Sequence, residues 1–131
     1  MNDLIITSSE KTPFTPNVHF NAKTGECAVE GESYPEQSFE FYQSLIRWVK
    51  DYFEGGAESI KMDFKLTYFN TSSGRAILDL LRLLKEYEEQ GRTITVNWYY
   101  PVPDDDDMKM EAEDFIDETE LELNLIPYEL T

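Results

Sequence analysis

Strict alternation of apolar and polar side chains marks the middle of the chain. From Ser59 to Asn70, Ile60, Met62, Phe64, Leu66 and Tyr68 fall on one side and Lys61, Asp63, Lys65 and Thr67 on the other. That period of two is the pattern of a strand buried on one face and wet on the other. Thr93 to Tyr100 repeats it, with Ile94, Val96, Trp98 and Tyr100 opposite Thr95, Asn97 and Tyr99. Between the two strands the spacing changes to threes and fours. Ile77, Leu80, Leu81, Leu84 and Tyr87 form the apolar stripe of a helix that Gly91 ends. A strand, a helix and a strand of these lengths predict a right-handed crossover joining parallel neighbours.

Upstream, the β-branched run Leu4 to Ser8 reads as a strand, and Lys11 to Pro16 as a turn in which two prolines forbid helix. Val18 to Asn21 and Glu26 to Glu30 predict a hairpin about Lys23-Thr24-Gly25. Ser33 and Glu36 have the spacing of a capping box, with Pro35 inside the first turn. A helix follows to Phe53, its buried stripe being Phe39, Tyr42, Leu45, Ile46, Val49 and Tyr52 or Phe53, and Gly55-Gly56 closes it. Phe41 and Trp48 fall off that stripe and either widen the core contact or join a partner-binding patch. Near the end, Asp104 to Asp107 suit a helix start, and Met108, Ala112, Phe115, Ile116 and Thr119 give that helix a modest apolar face. Leu121, Leu123 and Leu125 then alternate as a final strand. These elements predict one α/β domain over residues 1–131, with a mixed four- or five-stranded sheet, helices packed on one face, and an acidic C-terminal segment from 104 to 131.

Composition narrows what such a domain can do. The 131 residues carry 27 acidic and 11 basic side chains, a formal net charge of -16. That charge repels nucleic acid and anionic membrane surfaces, so neither is expected as a partner. Twelve of the carboxylates lie between Asp104 and Glu129. Eight Phe, eight Tyr and two Trp point to a folded chain with an aromatic core. Cys27 is the only cysteine, which excludes an internal disulfide, and its neighbour Glu26 disfavours a reactive thiolate. The acidic start has no signal-peptide character and no run approaches the roughly 20 apolar residues of a membrane span, so the expected compartment is the cytoplasm.

The chemistry-bearing residues are sparse. His19 is the only histidine, placed between Val18 and Phe20 as a solvent-facing strand residue, so no Ser/His/Asp or Cys/His set can be assembled. GxxxxGK[ST], HExxH and CxxC are missing, and the aspartate run lacks the glycine and spaced ligands of an EF-hand loop. The expectation is a protein without enzymatic activity, cofactor or metal. What remains is the turn between the Ser59 strand and the following helix: Asn70, Thr71, Ser72, Ser73, Gly74 and Arg75. Ser72 or Ser73 would cap the helix, with Asn70 and Thr71 shaping the turn. One cap suffices, which leaves hydroxyls with no structural task at the carboxyl end of a parallel strand, where open α/β sheets place their sites. A phosphoryl group there would sit near the helix N-terminus and within reach of Arg75. The physics of a helix start serves Thr71, Ser72 and Ser73 alike.

Leu66 to Ser73, LTYFNTSS, together with Gly31 to Glu36, GESYPE, resembles the SiaC family of bacterial regulatory phosphoproteins, and the order of elements is similar to STAS domains. The resemblance implies that Thr71 is phosphorylated by a dedicated protein kinase and dephosphorylated by a PP2C-type phosphatase. It also implies that the unmodified form binds and activates a diguanylate cyclase, promoting biofilm through cyclic di-GMP, and it draws Tyr34, Pro35 and Glu36 into the partner surface. Two other readings follow from the same features: a partner-switching protein like the anti-sigma-factor antagonists, and an acidic module that binds metal or mimics nucleic acid.

Overall fold

The computed structural model describes residues 1–9, 14–102 and 107–129; the turn-prone Lys11, Thr12 and Pro13 and the acidic run Asp104, Asp105 and Asp106 lie outside the described residues. Six strands form one sheet in chain order: β1 (Leu4–Ile6), β2 (Asn17–Phe20), β3 (Glu26–Ser33), β4 (Ser59–Phe69), β5 (Thr93–Val102) and β6 (Asn124–Glu129). The first three pair antiparallel and the last four parallel. Each parallel connection carries a helix: α1 (Ser38–Glu54), α2 (Thr71–Glu89) and α3 (Asp107–Thr119). Three crossovers of one hand, all stepping the same way across the sheet, put their helices on one face.

The count of six corrects the four or five strands expected from the sequence. Both flanking runs join the sheet: β1 pairs three residues with β2, and β6 pairs with β5 from Asn97↔Asn124 to Val102↔Glu129. The last strand also lies later than the Leu121–Leu125 alternation indicates. Thr119 Oγ1 accepts the Leu121 N–H at 3.1 Å and Glu120 turns through a φ of 60°, so Leu121 and Leu123 are buried ahead of the strand. Alternation there reports burial rather than ladder pairing.

The face under the helices is apolar. Ile60, Met62, Phe64 and Leu66 of β4 and Val96 and Trp98 of β5 are buried against Leu45 and Val49 of α1 and Ile77, Leu80, Leu81 and Leu84 of α2 in one cluster. Trp48, off the expected stripe, belongs to it, stacked on Tyr52 with ring centroids 5.1 Å apart and edge-on to Phe20 at 5.2 Å. Phe39, on the stripe, is instead 69% exposed. The reason lies in the start of α1. Ser33 is the last residue of β3 rather than a cap, and Gln37 occupies the N-cap without a side-chain bond. The capping box expected from Ser33 and Glu36 therefore does not form, and Phe39 stands in a first turn that overhangs the core.

Among the described residues the opposite face carries no helix. There Asn97 Nδ2 donates to Asp63 Oδ1 at 2.8 Å and Asn124 Nδ2 to Asn97 Oδ1 at 3.0 Å, a polar ladder across three strands. His19 is exposed on β2, 3.8 Å from Asp3, as expected of a solvent-facing strand histidine. Cys27 is buried and burial pushes its thiol well above the usual range, which leaves it unreactive.

Candidate functional site

The carboxyl end of β4 departs from the strict alternation of its first half. Gly31 of β3 faces Leu66, but Glu32 faces Tyr68, so β4 holds one extra residue, Thr67. Such a bulge reverses which side chains face the core. Tyr68, expected on the buried side, is 51% exposed and packs edge-on to Tyr34 at 5.7 Å, which in turn meets Phe14 at 5.4 Å. Phe69 takes the inner side, against Trp98 and Phe115 at 6.1 Å each. The bulge thus anchors the chain by Phe69 immediately before the turn. Gly74 keeps the approach open, since a Cβ there would stand 3.0 Å from the Phe69 ring.

Asn70 opens α2. It has extended backbone geometry, and its Oδ1 accepts the Ser73 N–H at 2.8 Å. This is the standard N-cap bond, and it corrects the expectation that Ser72 or Ser73 would cap the helix. Replacing Asn70 by alanine is expected to cost about 1 kcal/mol, with Asn70→Asp retaining most of it, read from the midpoint of urea unfolding.

With the cap assigned, the three hydroxyls separate by environment. Thr71, the first helical residue, is exposed and its side chain has no hydrogen bond among the described residues. Ser72 is exposed but faces a groove between the first turns of α1 and α2, beside Glu36, Phe39, Glu40, Arg75 and Asp79. Ser73 is fully buried. Its Oγ accepts from Ser33 Oγ at 3.0 Å and lies 3.3 Å from Ser38 Oγ, while Ser33 Oγ is 2.7 Å from Tyr42 OH. Burial pushes the Tyr42 phenol up to about 12, against the opposing hydrogen bond with Ser33, so it stays protonated and able to donate. Ser33, Ser38 and Tyr42 are the residues that sequence reasoning missed here. Their signal was faint: Ser33 had been assigned to a cap, and Ser38 and Tyr42 are 35 and 31 positions from Ser73 in the chain.

Arg75 is exposed, one turn after Thr71, and opens on two grooves, the one beside Ser72 and another between α2 and α3 with Asp79, Arg82, Asp114 and Glu118. Of the GESYPE segment, Tyr34 is half-buried, Pro35 is buried and offers its carbonyl to Ser38, and Glu36 reaches the surface in the groove beside Ser72. On the far side of the turn, a third groove between Tyr68 and α3 is lined by Asp107, Glu111 and Asp114. Burial, and then the charges of Asp114 and Asp107, push the Glu111 carboxyl above the usual carboxylate range. None of these grooves contains His19 or Cys27, so the hydroxyl turn has no general base of that kind beside it. Among the described residues, no group of three or more His, Cys, Asp and Glu is placed to hold a metal ion, and no helix is long and apolar enough to cross a membrane.

The turn at the start of α2 thus presents Thr71 and Ser72 at the surface and holds Ser73 beneath it. The model of the SiaC family of regulatory phosphoproteins matches residues 9–128. The chain belongs to the SiaC family. Its sequence is 35% identical over 100 residues to an uncharacterized protein of Pseudomonas aeruginosa strain UCBPP-PA14, covering 76% of this chain and 77% of that one. The crystal structure of apo-SiaC from Pseudomonas aeruginosa superposes with a TM-score of 0.84 at 31% identity, over 96% of this chain and 99% of that one. A chain from the complex of the diguanylate cyclase SiaD with its activator SiaC, of the same organism, gives 0.86 at 29% identity, over 96% and 100% of the two chains. The six-stranded sheet and three helices described above are thus a SiaC fold, and the protein is a regulatory one by family.

Proposed function

We propose that this SiaC-family chain is a phosphoswitch in which Thr71 accepts a phosphoryl group from a dedicated kinase and a PP2C-type phosphatase removes it. The unmodified form binds and activates a diguanylate cyclase, as SiaC does in the related complex, and phosphate on Thr71 releases it. The observation that carries this reading is the sorting of the hydroxyls: Thr71 alone is both exposed and outside the grooves, whereas Ser73 is buried and Ser72 lines a groove with three carboxylates and Arg75. A phosphate on Thr71 would gain the unpaired N–H groups of the first turn of α2 and the guanidinium of Arg75, four residues on. In this proposal residues 1–131 act as one non-enzymatic unit in the cytoplasm, with a STAS-like arrangement of the switch at a strand-to-helix turn.

Incubation of the chain with its kinase and ATP, followed by phosphopeptide mass spectrometry, is expected to place a single phosphate on Thr71. Phosphate on another residue, or on none, overturns the assignment.

A further inference from the structure

The buried hydroxyls beneath the turn form a chain with one direction. Each hydroxyl has a single proton to donate. Ser38 Oγ gives its proton to the Pro35 carbonyl at 3.1 Å, so the contact with Ser73 must be a donation from Ser73. Ser33 gives its proton to Ser73, so the 2.7 Å contact with Tyr42 must be a donation from the phenol. The sequence of donors is Tyr42, Ser33, Ser73, Ser38 and then the Pro35 carbonyl. No buried side-chain nitrogen or oxygen among the described residues lacks a partner.

This chain closes a ring with the backbone of the turn. The Asn70 N–H donates to the Ser33 carbonyl at 3.1 Å, the Ser73 N–H donates to Asn70 Oδ1 at 2.8 Å, and the Ser33 hydroxyl donates to Ser73 Oγ at 3.0 Å. Asn70 and Ser73 are therefore fixed points, and the two residues between them have no route inward. We propose that Ser73, held by Ser33 and Ser38, is the positioning residue that presents Thr71 to the modifying enzyme and selects it over Ser72. Clamping at position 73 sets the first turn of α2 so that Thr71 is exposed while Ser72 lines the groove shared by Glu36, Glu40, Asp79 and Arg75, where three carboxylates against one guanidinium oppose an incoming phosphoryl group. Ser73 itself is spent as an acceptor, because its proton and one lone pair are already engaged inside the fold. The same ring ties the turn to the end of β3 and the start of α1, which explains why a buried polar cluster stands where an apolar one would have packed as well.

This inference deepens the phosphoswitch reading and rests on it for the identity of the kinase. The test compares wild type, Ser33→Ala, Ser73→Ala and a Val96→Ala control whose core lesion lies in β5. Each is phosphorylated by the chain's kinase, with kcat, KM and the ratio of phosphate on Thr71 to phosphate on Ser72 measured. Loss of the clamp is expected to lower kcat on Thr71 about tenfold, with little change in KM, and to raise the share on Ser72, because misplacement of the reacting hydroxyl falls on the chemical step. The control is expected to leave the ratio unchanged. An unaltered ratio in both clamp variants, or the same change in the control, overturns the proposal. Amide hydrogen exchange provides an arm that needs no kinase. Ser33→Ala should speed exchange at Ser73 about tenfold while leaving Leu84 as in wild type, whereas equal slowing or speeding at both overturns the clamp. If the kinase leaves wild type unmodified, the phosphoswitch reading fails by itself and the exchange result alone decides whether the clamp exists.

Discussion

Trp98→Ala is expected to destabilise the protein by about 4 kcal/mol, the upper part of the range for removing a large buried aromatic, measured by urea unfolding. Trp98 is completely buried and meets three rings, Phe64 and Phe115 at 5.5 Å and Phe69 at 6.1 Å. Its indole Nε1 also donates to the Met108 carbonyl at 2.9 Å, in the first turn of α3. Truncation therefore leaves a cavity, removes the indole donor from the Met108 carbonyl and leaves the Phe69 ring without one wall. The three losses fall on α3 and on the residue just before the hydroxyl turn. Trp98→Phe separates them, because it retains most of the volume and removes only the donor. It should cost about 1 to 2 kcal/mol, the price of the hydrogen bond together with imperfect refilling. If Trp98→Ala costs under about 2 kcal/mol, neighbouring rings have collapsed into the space and the site is less tightly packed than these distances indicate.

Much of this architecture was legible because periodicity reports burial directly. The apolar positions Ile60, Met62, Phe64 and Leu66 all lie in the core, as does the stripe Ile77, Leu80, Leu81 and Leu84. Legibility ended where one residue changed the phase. The extra Thr67 in β4 swaps Tyr68 and Phe69, and nothing within β4 announces it, because the bulge is defined by the register of β3 across from it. The start of α1 was obscured differently. Ser33 and Glu36 satisfy the spacing of a capping box, yet Ser33 is drawn into the sheet and into the buried hydroxyl chain, so tertiary bonding overrode a local signal. Phe39 left its expected buried environment for the same reason, since an apolar stripe fixes a direction on a helix but not where the helix begins relative to the sheet, whereas Trp48 took the core-widening option open to it. At the hydroxyl turn the sequence supplied every exposed candidate. It could not rank them, because the groups that bury Ser73 come from positions 33, 38 and 42.

Under the proposed phosphoswitch, phosphorylation of Thr71 is expected to weaken binding of a diguanylate cyclase by about a hundredfold or more, equivalent to roughly 2.8 kcal/mol at about 1.4 kcal/mol per tenfold step. The phosphate brings about 1.5 to 2 negative charges to the exposed end of α2, and docking would strip their water. Arg75 and the first-turn N–H groups compensate part of that cost in the free protein, which stabilises the phosphorylated form unbound and makes its release more complete. Thr71→Ala should bind within about threefold of unmodified wild type, because the Thr71 hydroxyl has no partner within the described fold and its loss leaves the Asn70 cap intact. Thr71→Glu should reproduce only part of the effect, having a single charge and less bulk. Titration calorimetry on the four forms reads these differences, and pH and salt separate their causes. The second phosphate ionisation lies near about pH 6, so lowering the pH from about 7.5 to about 5.5 should return part of the lost affinity by converting the dianion to the monoanion. Desolvation predicts that added salt restores little, whereas long-range repulsion between exposed charges would be screened within about 8 Å at physiological ionic strength. Equal affinity of the phosphorylated and unmodified forms would remove Thr71 from the docking surface and leave the groove between α1 and α2 as the place to seek the partner.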